Sequence, residues 1–252
     1  MKKSIFITGA SSGIGRSLSL KFASEGWKVV ASARRINILK SLKNESLKKK
    51  IIIPVKLDIT NSKMVSSKVN SIVKTNGIPD IIFLNAGTNN PNSTSIFSLK
   101  ETRQIFETNF FGTLNCVAAF LPYLKKKRQS QIIIMSSVAG YRGLPYAAAY
   151  CSSKSAISTF AESIFNQCKN LGITVRVVNP GFIKTPLTDK NKFDMPMIIS
   201  AEKASNIIYK NILYSNKFEI NCPLLFCFLM KVLRILPYSV YFKLTNYLIK
   251  SL

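Results

Sequence analysis

The chain has 252 residues, which suits one sizeable domain, and it contains no histidine. The lack of histidine excludes Ser-His-Asp and Cys-His nucleophilic catalysis and His-ligated metal sites. The 11 acidic residues oppose 36 lysines and arginines, giving a net charge of +25, and they form no cluster suited to two-carboxylate glycoside chemistry or to a metal ion. We therefore predict no metal. The charge indicates either a solvated lysine-rich surface or attraction to nucleic acid, anionic lipid or a phosphorylated cofactor.

Short apolar runs alternate with longer helical stretches along the first 220 residues. The runs are predicted to be strands buried on both faces, and they are Ser4 to Thr8, Lys28 to Ala33, Ile51 to Leu57, Asp80 to Asn85, Gln131 to Ser136 and Ile173 to Asn179. This alternation predicts an α/β fold with a doubly wound parallel sheet and helices on both faces. We expect a single domain over 1–220, followed by an apolar, basic C-terminal extension over 221–252.

The C-terminal extension differs in character from the rest of the chain. Its longest uncharged run, 220–230, has 11 residues and includes Pro223, whereas a bilayer span needs about 20 apolar residues. The sequence therefore predicts no transmembrane anchor. Two alternatives stay open: an amphipathic basic segment that lies on a membrane, and a helix docked on the sheet or on a partner subunit.

Five cysteines are present, and none forms a CxxC pair. Their odd number and apolar surroundings argue against a disulfide scaffold and favour a reducing compartment. The apolar run after Lys2 and Lys3 ends at Thr8-Gly9, too early for the core of a signal peptide. We expect a cytoplasmic protein, with the extension as a candidate for contact with the cytoplasmic face of a membrane.

A glycine-rich turn follows the first predicted strand directly. It reads Thr8-Gly9-x-Ser11-Ser12-Gly13-Ile14-Gly15 and leads into a helix. Glycines at a strand-to-helix turn allow close approach of a pyrophosphate, whose charge is met by the amides of the helix N-terminus. The spacing is Gly-x3-Gly-x-Gly rather than the common GxGxxG fingerprint. The turn still predicts a dinucleotide site, because it lies between a strand and a helix.

The second predicted strand ends in Ala33-Arg34-Arg35. NAD-binding sheets usually carry an acidic residue at this place, which binds the ribose 2′-hydroxyl. Here Ala33 leaves room, and Arg34 and Arg35 supply charge for a 2′-phosphate. The strand end therefore favours NADP(H) over NAD(H), the alternative being that the arginines only begin the next helix.

A tyrosine and a lysine four residues apart follow the fifth predicted strand. Tyr150 and Lys154 fall on one helical face, where the cation favours the phenolate and lowers the tyrosine pKa toward the range of a working proton donor or acceptor. Tyr123 and Lys127 repeat the spacing, so the spacing alone does not decide. Only Tyr150 lies 13 residues after Ser137, at a carboxyl strand end where doubly wound sheets bind ligands.

The chain resembles the short-chain dehydrogenase/reductase family over residues 4 to about 205. The motifs that carry the resemblance stand in the family's order and spacing, and they are Thr8-Gly9-x3-Gly13-Ile14-Gly15, Asp58, Asn85-Ala86-Gly87, Asn109, Ser137, Tyr150-x3-Lys154 and Pro180-Gly181-x3-Thr185. The resemblance implies a Rossmann-like fold, a nicotinamide cofactor and a homo-oligomer, either a dimer or a tetramer.

The resemblance also implies how the cofactor binds. Asp58 would hold the adenine edge, and Asn85-Ala86-Gly87 would shape the strand end beside the cofactor. The turn at Pro180-Gly181 would lead to the nicotinamide, held by the Ile183 backbone and the Thr185 hydroxyl. One departure is that Ser12 stands before the second glycine, where many NADP-dependent relatives carry a basic residue.

The same resemblance implies the catalytic roles. Ser137 would donate a hydrogen bond to the substrate carbonyl, and Tyr150 would supply the proton. Lys154 would bind the ribose hydroxyls beside Tyr150 and lower the tyrosine pKa. Asn109 would hold a water that passes protons toward Lys154.

These observations predict an NADP(H)-dependent oxidoreductase that interconverts a carbonyl and an alcohol. An apolar substrate, such as a keto-acyl, keto-sphingoid, fatty aldehyde or steroid-like compound, is expected from the apolar extension and from a greasy lid of Leu187, Phe193, Met195, Met197, Ile198 and Ile199. The alternatives are a non-catalytic NADPH-binding scaffold and a basic nucleic-acid-binding protein. We expect no specific nucleic-acid partner, because no aromatic-interleaved basic motif accompanies the charge.

Overall fold

A computed structural model describes residues 3–46, 51–91, 96–127, 129–191 and 193–250. Residues 248–250 are described as backbone only. Its strands are β1 (Ser4–Thr8), β2 (Lys28–Ala33), β3 (Ile52–Lys56), β4 (Ile81–Leu84), β5 (Ser130–Met135), β6 (Ile173–Pro180), β7 (Ile183–Lys184), β8 (Ile199–Ser200) and β9 (Glu219–Cys222). Its α-helices are α1 (Gly13–Ser24), α2 (Ile36–Glu45), α3 (Ser62–Asn76), α4 (Leu99–Phe106), α5 (Gly112–Lys127), α6 (Ala148–Asn170), α7 (Ala201–Tyr214), α8 (Leu224–Ile235) and α9 (Tyr238–Lys250). A π-helix over Glu107–Phe111 joins α4 to α5, and a 3₁₀ turn over Val138–Gly140 follows β5.

Seven strands form one parallel sheet in the order β3-β2-β1-β4-β5-β6-β9. The order reverses between β1 and β4, so crossover helices cover both faces. The predicted α/β class, with its doubly wound, Rossmann-like sheet in one domain, is confirmed. Because all strands run the same way, every loop after a strand emerges at one carboxyl edge.

Two apolar layers explain why the strands read as continuous hydrophobic runs. On one face, Phe22 of α1 packs edge-on against Tyr209 of α7 with ring centres 4.9 Å apart. On the other face, Phe6 of β1 meets Phe120 of α5 at 4.8 Å. All five residues of β1 are buried, because a central parallel strand is covered on both sides.

The strand at the sheet edge corrects one expectation. The sequence predicts that an apolar tail begins at residue 220. In the structure, β9 pairs in parallel with β6, with Val178 beside Ile220 and Pro180 beside Cys222. Ile220 and Cys222 are fully buried, so these residues complete the sheet. The boundary placed at 220 therefore falls inside a strand, and the part of the extension that lies outside the sheet begins with α8.

The extension after β9 docks on the segment that links β5 to α6. The Arg142 guanidinium donates to the carbonyls of Leu233, Arg234 and Leu236 at 2.7–2.8 Å, which closes the end of α8. The central guanidinium carbon of Arg142, Cζ, lies 4.0 Å from the ring centre of Tyr241 in α9. Among the described residues, no helix is both long and apolar enough to cross a bilayer.

Candidate functional site

A cleft of about 300 Å³ opens at the carboxyl edge of the sheet. Fifteen of the predicted site residues line it: Gly9, Ser11, Ser12, Gly13, Ile14, Arg34, Arg35, Asp58, Asn85, Ala86, Gly87, Tyr150, Lys154, Pro180 and Thr185. The remaining predicted residues lie behind or beside the lining: Thr8, Gly15, Asn109, Ser137, Gly181 and Ile183. The tertiary structure thus brings together motifs that are far apart in sequence.

Thr8 and Asn85 lock the glycine loop to the end of β4. The Thr8 hydroxyl accepts hydrogen bonds from the amides of Asn85 (2.9 Å) and Ala86 (3.0 Å). In return, the Asn85 side-chain amide donates to the carbonyl of Thr8 at 3.0 Å. Thr8 is buried, so it acts on the shape of the loop from behind.

Two glycines of the loop are required by backbone shape and by space. Gly9 has φ +67°, and a Cβ there would lie 2.8 Å from the Cα of Ala86. Gly13 has φ +54°, and a Cβ there would lie 3.0 Å from Cγ2 of Thr185. Both positions therefore exclude ordinary side chains, and the loop keeps an open cradle at the start of α1.

That cradle suits the phosphates of a dinucleotide. Ser12 is the N-cap of α1 but makes no side-chain capping bond, and no acidic residue lies in the first turn. The N-terminal amides are thus left for an anion, whose charge the helix dipole favours. Arg35 adds a cation there by donating to the hydroxyls of Ser11 (2.9 Å) and Ser12 (3.3 Å).

Asp58 lies after β3 on the far side of the same cleft. One carboxylate oxygen accepts from both the amide (3.0 Å) and the hydroxyl (2.8 Å) of Thr60. This local turn fixes the orientation of the carboxylate at the cleft wall.

The two serines after β5 do different things. The Ser136 hydroxyl donates to the carbonyl of Lys154 at 2.9 Å and lies 2.7 Å from the hydroxyl of Ser158, so it ties the strand to α6. The Ser137 hydroxyl accepts from the amide of Ala139 and lies 3.5 Å from the carbonyl of Pro180. Ser136 lines the cleft, whereas Ser137 stands just beyond the lining with its hydroxyl beside Tyr150.

Tyr150 does not show the lowered pKa that we expected from Lys154. Burial raises the pKa of Tyr150 to about 12, and the hydrogen bond with Ser137 opposes this only in part. The ammonium of Lys154 lies 5.7 Å from the centre of the tyrosine ring. The phenol is therefore protonated at neutral pH, which suits a proton donor.

Lys154 is 3% exposed, and its ammonium donates to the carbonyl of Met135 at 2.9 Å. Burial lowers the pKa of Lys154 to about 8. None of the ion pairs found among the described residues includes it. The cleft thus contains a desolvated cation that an anionic or hydroxyl-bearing ligand would stabilise.

Asn109 lies in the π-helix and is 1% exposed. Its side-chain oxygen accepts from the amide of Thr88 (2.7 Å), and its nitrogen donates to the carbonyl of Thr88 and the hydroxyl of Ser153, each at 3.0 Å. The polar atoms of the side chain are therefore paired within the protein. Sequence reasoning missed Thr88 and Ser153, because their contribution consists of contacts and neither belongs to a motif.

The second tyrosine–lysine pair lies away from the cleft. Tyr123 donates to Asn70, and Lys127 forms an ion pair with Asp80 at 2.9 Å, beside the amino end of β4. The structure therefore selects Tyr150 and Lys154 as the pair at the ligand edge.

The turn after β6 closes the cleft. A Cβ at Gly181 would lie 2.5 Å from Phe226 of α8, while Thr185 and Leu187 line the cavity. Of the residues expected in a greasy lid, Leu187 is the one that lines the cleft, and Ile199 pairs with Ile183 between β8 and β7.

A dinucleotide cradle that faces a buried lysine and a protonated phenol is the arrangement of an NAD(P)-dependent oxidoreductase. The described residues contain no group of three or more potential metal-ligating side chains. Hydride chemistry with a nicotinamide fits a dinucleotide cradle that shares its cleft with a proton donor.

Comparison with known proteins gives the family. The short chain dehydrogenase family model matches residues 3–195. An uncharacterized oxidoreductase of Myxococcus xanthus is 31% identical over 93% of both chains. A 3-ketodihydrosphingosine reductase of Bacteroides thetaiotaomicron is 33% identical over 73% of this chain and 65% of its own. The solved structure of ElxO with NADP bound has a TM-score of 0.79 at 26% identity, covering 89% of this chain and 99% of ElxO.

The chain belongs to the short-chain dehydrogenase family. It is an oxidoreductase that acts on CH–OH and C=O groups with NAD(P).

Proposed function

We propose that this protein is an NADP(H)-dependent reductase that converts an apolar ketone or aldehyde to the alcohol. The observation that carries the proposal is the half-buried phenol of Tyr150 beside Ser137 and Lys154, in the wall of the cleft that the glycine cradle also lines. A proton donor at this place fits reduction, in which the carbonyl oxygen gains a proton as hydride arrives.

Each side chain has a role that its contacts support. Bound NADPH would supply the hydride. Ser137 donates a hydrogen bond to the substrate oxygen, and Tyr150 gives that oxygen its proton. Lys154 binds the cofactor ribose hydroxyls, and its positive charge favours the phenolate that forms during the reaction. Asn109 holds the loop after β4 in place through Thr88.

A preference for NADP(H) is proposed from charge at the end of β2. The residues after β2 are Arg34 and Arg35 with no acid among them, and the Arg35 guanidinium already bridges two serines of the cradle. A 2′-phosphate would accept hydrogen bonds from the same guanidinium. The relative ElxO was solved with NADP bound, which agrees with this preference.

An apolar substrate is proposed from the surroundings of the cleft mouth. Leu187 lines the cavity, and Phe193 and Met197 lie exposed in the segment that follows it. Phe182 joins that segment to α8, because its ring centre lies 5.8 Å from Phe193 and 5.2 Å from Phe226. The similarity to a 3-ketodihydrosphingosine reductase supports a long-chain carbonyl.

Location and assembly are proposed at a coarser level. The five cysteines are free and buried, which fits the reducing cytoplasm. We propose a homo-oligomer, with contact between the C-terminal extension and the membrane that would supply an apolar substrate. A specific nucleic-acid partner is not part of this function.

The test is NADPH oxidation by purified protein with long-chain 3-oxoacyl thioesters, 3-keto sphingoid bases, fatty aldehydes, steroids and short polar sugars. Tyr150→Phe is expected to lower the rate roughly 10²–10⁴-fold, because it removes the proton donor, while NADPH binding persists. Tyr123→Phe is the matched control from the second Tyr-x3-Lys pair, and its rate should equal that of the wild type. Faster turnover of sugars would refute the apolar substrate, and equal rates for Tyr150→Phe and wild type would refute the mechanism.

A further inference from the structure

The helix α8 is apolar on its outer side as well as on its inner side. Its inner side packs Cys227 and Met230 against Val138, the residue after Ser137. We call the outer side the α8 face; it follows helical spacing and consists of Leu224 (73% exposed), Leu225 (59%), Phe228 (63%), Leu229 (43%), Val232 (39%) and Ile235 (79%). No polar residue interrupts the α8 face.

A helix with a second apolar face, in addition to the one on the core, buries that face against protein or lipid. In the described part of the chain, the core covers only the inner side of α8, so no described residue covers the α8 face. The neighbouring helix α9 adds exposed aromatic side chains, Tyr238 (73%), Phe242 (60%) and Tyr247 (72%). Tyrosines with an apolar body and a polar tip suit the headgroup level of a bilayer.

Two partners could cover the α8 face, a second copy of this chain or a bilayer, and charge distinguishes them. Glu219 is the last acidic residue of the chain, and Lys231, Arg234 and Lys243 follow it. Lys231 forms an ion pair with Glu219, while Arg234 and Lys243 are exposed. A second copy that pairs the same patch across a two-fold axis would oppose these cations, in a chain of net charge +25. An anionic bilayer would attract them instead.

We propose that the α8 face and the exposed aromatic residues of α9 dock on an anionic lipid surface. With 12 residues, α8 is about 18 Å long, less than the roughly 30 Å of hydrocarbon in a bilayer, so the helix lies in the plane of the interface. The opposite side of α8 rests on Val138. Docking therefore places the Ser137 side of the cleft one helix diameter from the lipid, which deepens the proposed function because an apolar substrate could pass between them.

The experiment measures binding of the full chain to vesicles by sedimentation. Vesicles of phosphatidylcholine alone are compared with vesicles of phosphatidylcholine and phosphatidylglycerol at 7:3. We expect wild type to bind the anionic vesicles at least tenfold more strongly, and added salt to weaken that binding. The variant Leu225→Ser/Phe228→Ser/Ile235→Ser should bind at least tenfold more weakly, because it breaks the apolar stripe at exposed positions.

Tyr214→Ser is the matched control, since Tyr214 is 80% exposed at the end of α7, outside the α8 face. It should bind vesicles as the wild type does. NADPH binding and the melting temperature verify that the triple variant is folded, and turnover of a water-soluble aldehyde tests the reductase separately. The proposal is overturned if wild type binds no vesicle or if the triple variant binds equally well. It is also overturned if the triple variant only changes a dimer to a monomer in light scattering.

Discussion

At the scale of single residues, Lys154 and Tyr150 show how burial sets protonation. Removing a lysine from water disfavours its charge, and removing a tyrosine disfavours the phenolate, so both groups are pushed toward their neutral forms. The pKa values move to about 8 for Lys154 and about 12 for Tyr150. The sequence favours this pair because Tyr150 follows Ser137 by 13 residues, but a distance along a helix contains no information about desolvation.

Lys154 should make the free protein's stability depend on pH in the alkaline range. Its pKa falls from 10.5 to about 8 on folding, so between these values the unfolded chain holds a proton that the folded chain has lost. Stability therefore rises with pH there, by roughly 2 kcal/mol for this group. Denaturant unfolding of wild type and Lys154→Met should show this rise as a difference between the two proteins.

A difference between wild type and Lys154→Met that stays constant from pH 8 to pH 10.5 would show that the lysine keeps its proton. Lys127→Met is a suitable control, because Lys127 lies beside Asp80 and shows no comparable burial.

Arg35 should determine the choice of cofactor. Its guanidinium donates to Ser11 and Ser12, so a 2′-phosphate at the end of β2 would gain a charge-assisted bond worth about 1.5–3 kcal/mol. Arg35→Ala should weaken NADPH binding about tenfold or more and leave NADH binding nearly unchanged. Fluorescence titration of both cofactors measures this, with the exposed Arg103→Ala as control. An equal loss of affinity for both cofactors would show that Arg35 does not contact the 2′-phosphate.

At the scale of elements, the sequence predicted β1 and β2 residue for residue and the other four strands within two residues of their ends. These strands are continuous apolar runs between polar turns, which local pattern reveals. It missed β9 because Glu219 and Asn221 alternate with two buried apolar residues, and the following apolar helix masked the strand. Only the free edge of β6 makes that short segment a strand.

Arg142 joins the element pair α8–α9 to the loop before Tyr150. It supplies donors to three carbonyls at the end of α8 and lies against the ring of Tyr241. Arg142→Ala should lower the free energy of unfolding by about 2–4 kcal/mol, because helix-end carbonyls lose their partners and the stacking is removed. Denaturant unfolding measures the change, and limited proteolysis should cut near Pro237.

Arg142→Lys should recover part of this stability, since an ammonium can donate to these carbonyls but lacks the planar guanidinium that lies over the ring of Tyr241. If Arg142→Ala unfolds like the wild type and resists protease equally well, the extension is held by its apolar contacts alone.

At the scale of the whole molecule, the net charge and the apolar extension act together. A charge of +25 alone does not distinguish a nucleic acid from a bilayer or a cofactor. The fold distributes this charge: Arg35 lies at the cofactor cradle, while Arg234 and Lys243 are exposed on α8 and α9, the helices with apolar side chains that the described residues leave uncovered. Positive charge next to the apolar α8 face suits binding to anionic lipid. Positive charge next to the amides and hydroxyls of the cradle suits binding to phosphate.

The sequence by itself determined the parallel sheet, the position of the glycine turn and the set of polar residues at the strand ends, because hydrophobic periodicity and short motifs are local. It also excluded histidine chemistry outright. Only the tertiary structure decided that Ser136 anchors α6 while Ser137 lies beside Tyr150, that burial raises the pKa of Tyr150, and that the described residues leave one side of α8 uncovered. These properties depend on burial and on partners distant in sequence, which no local pattern contains.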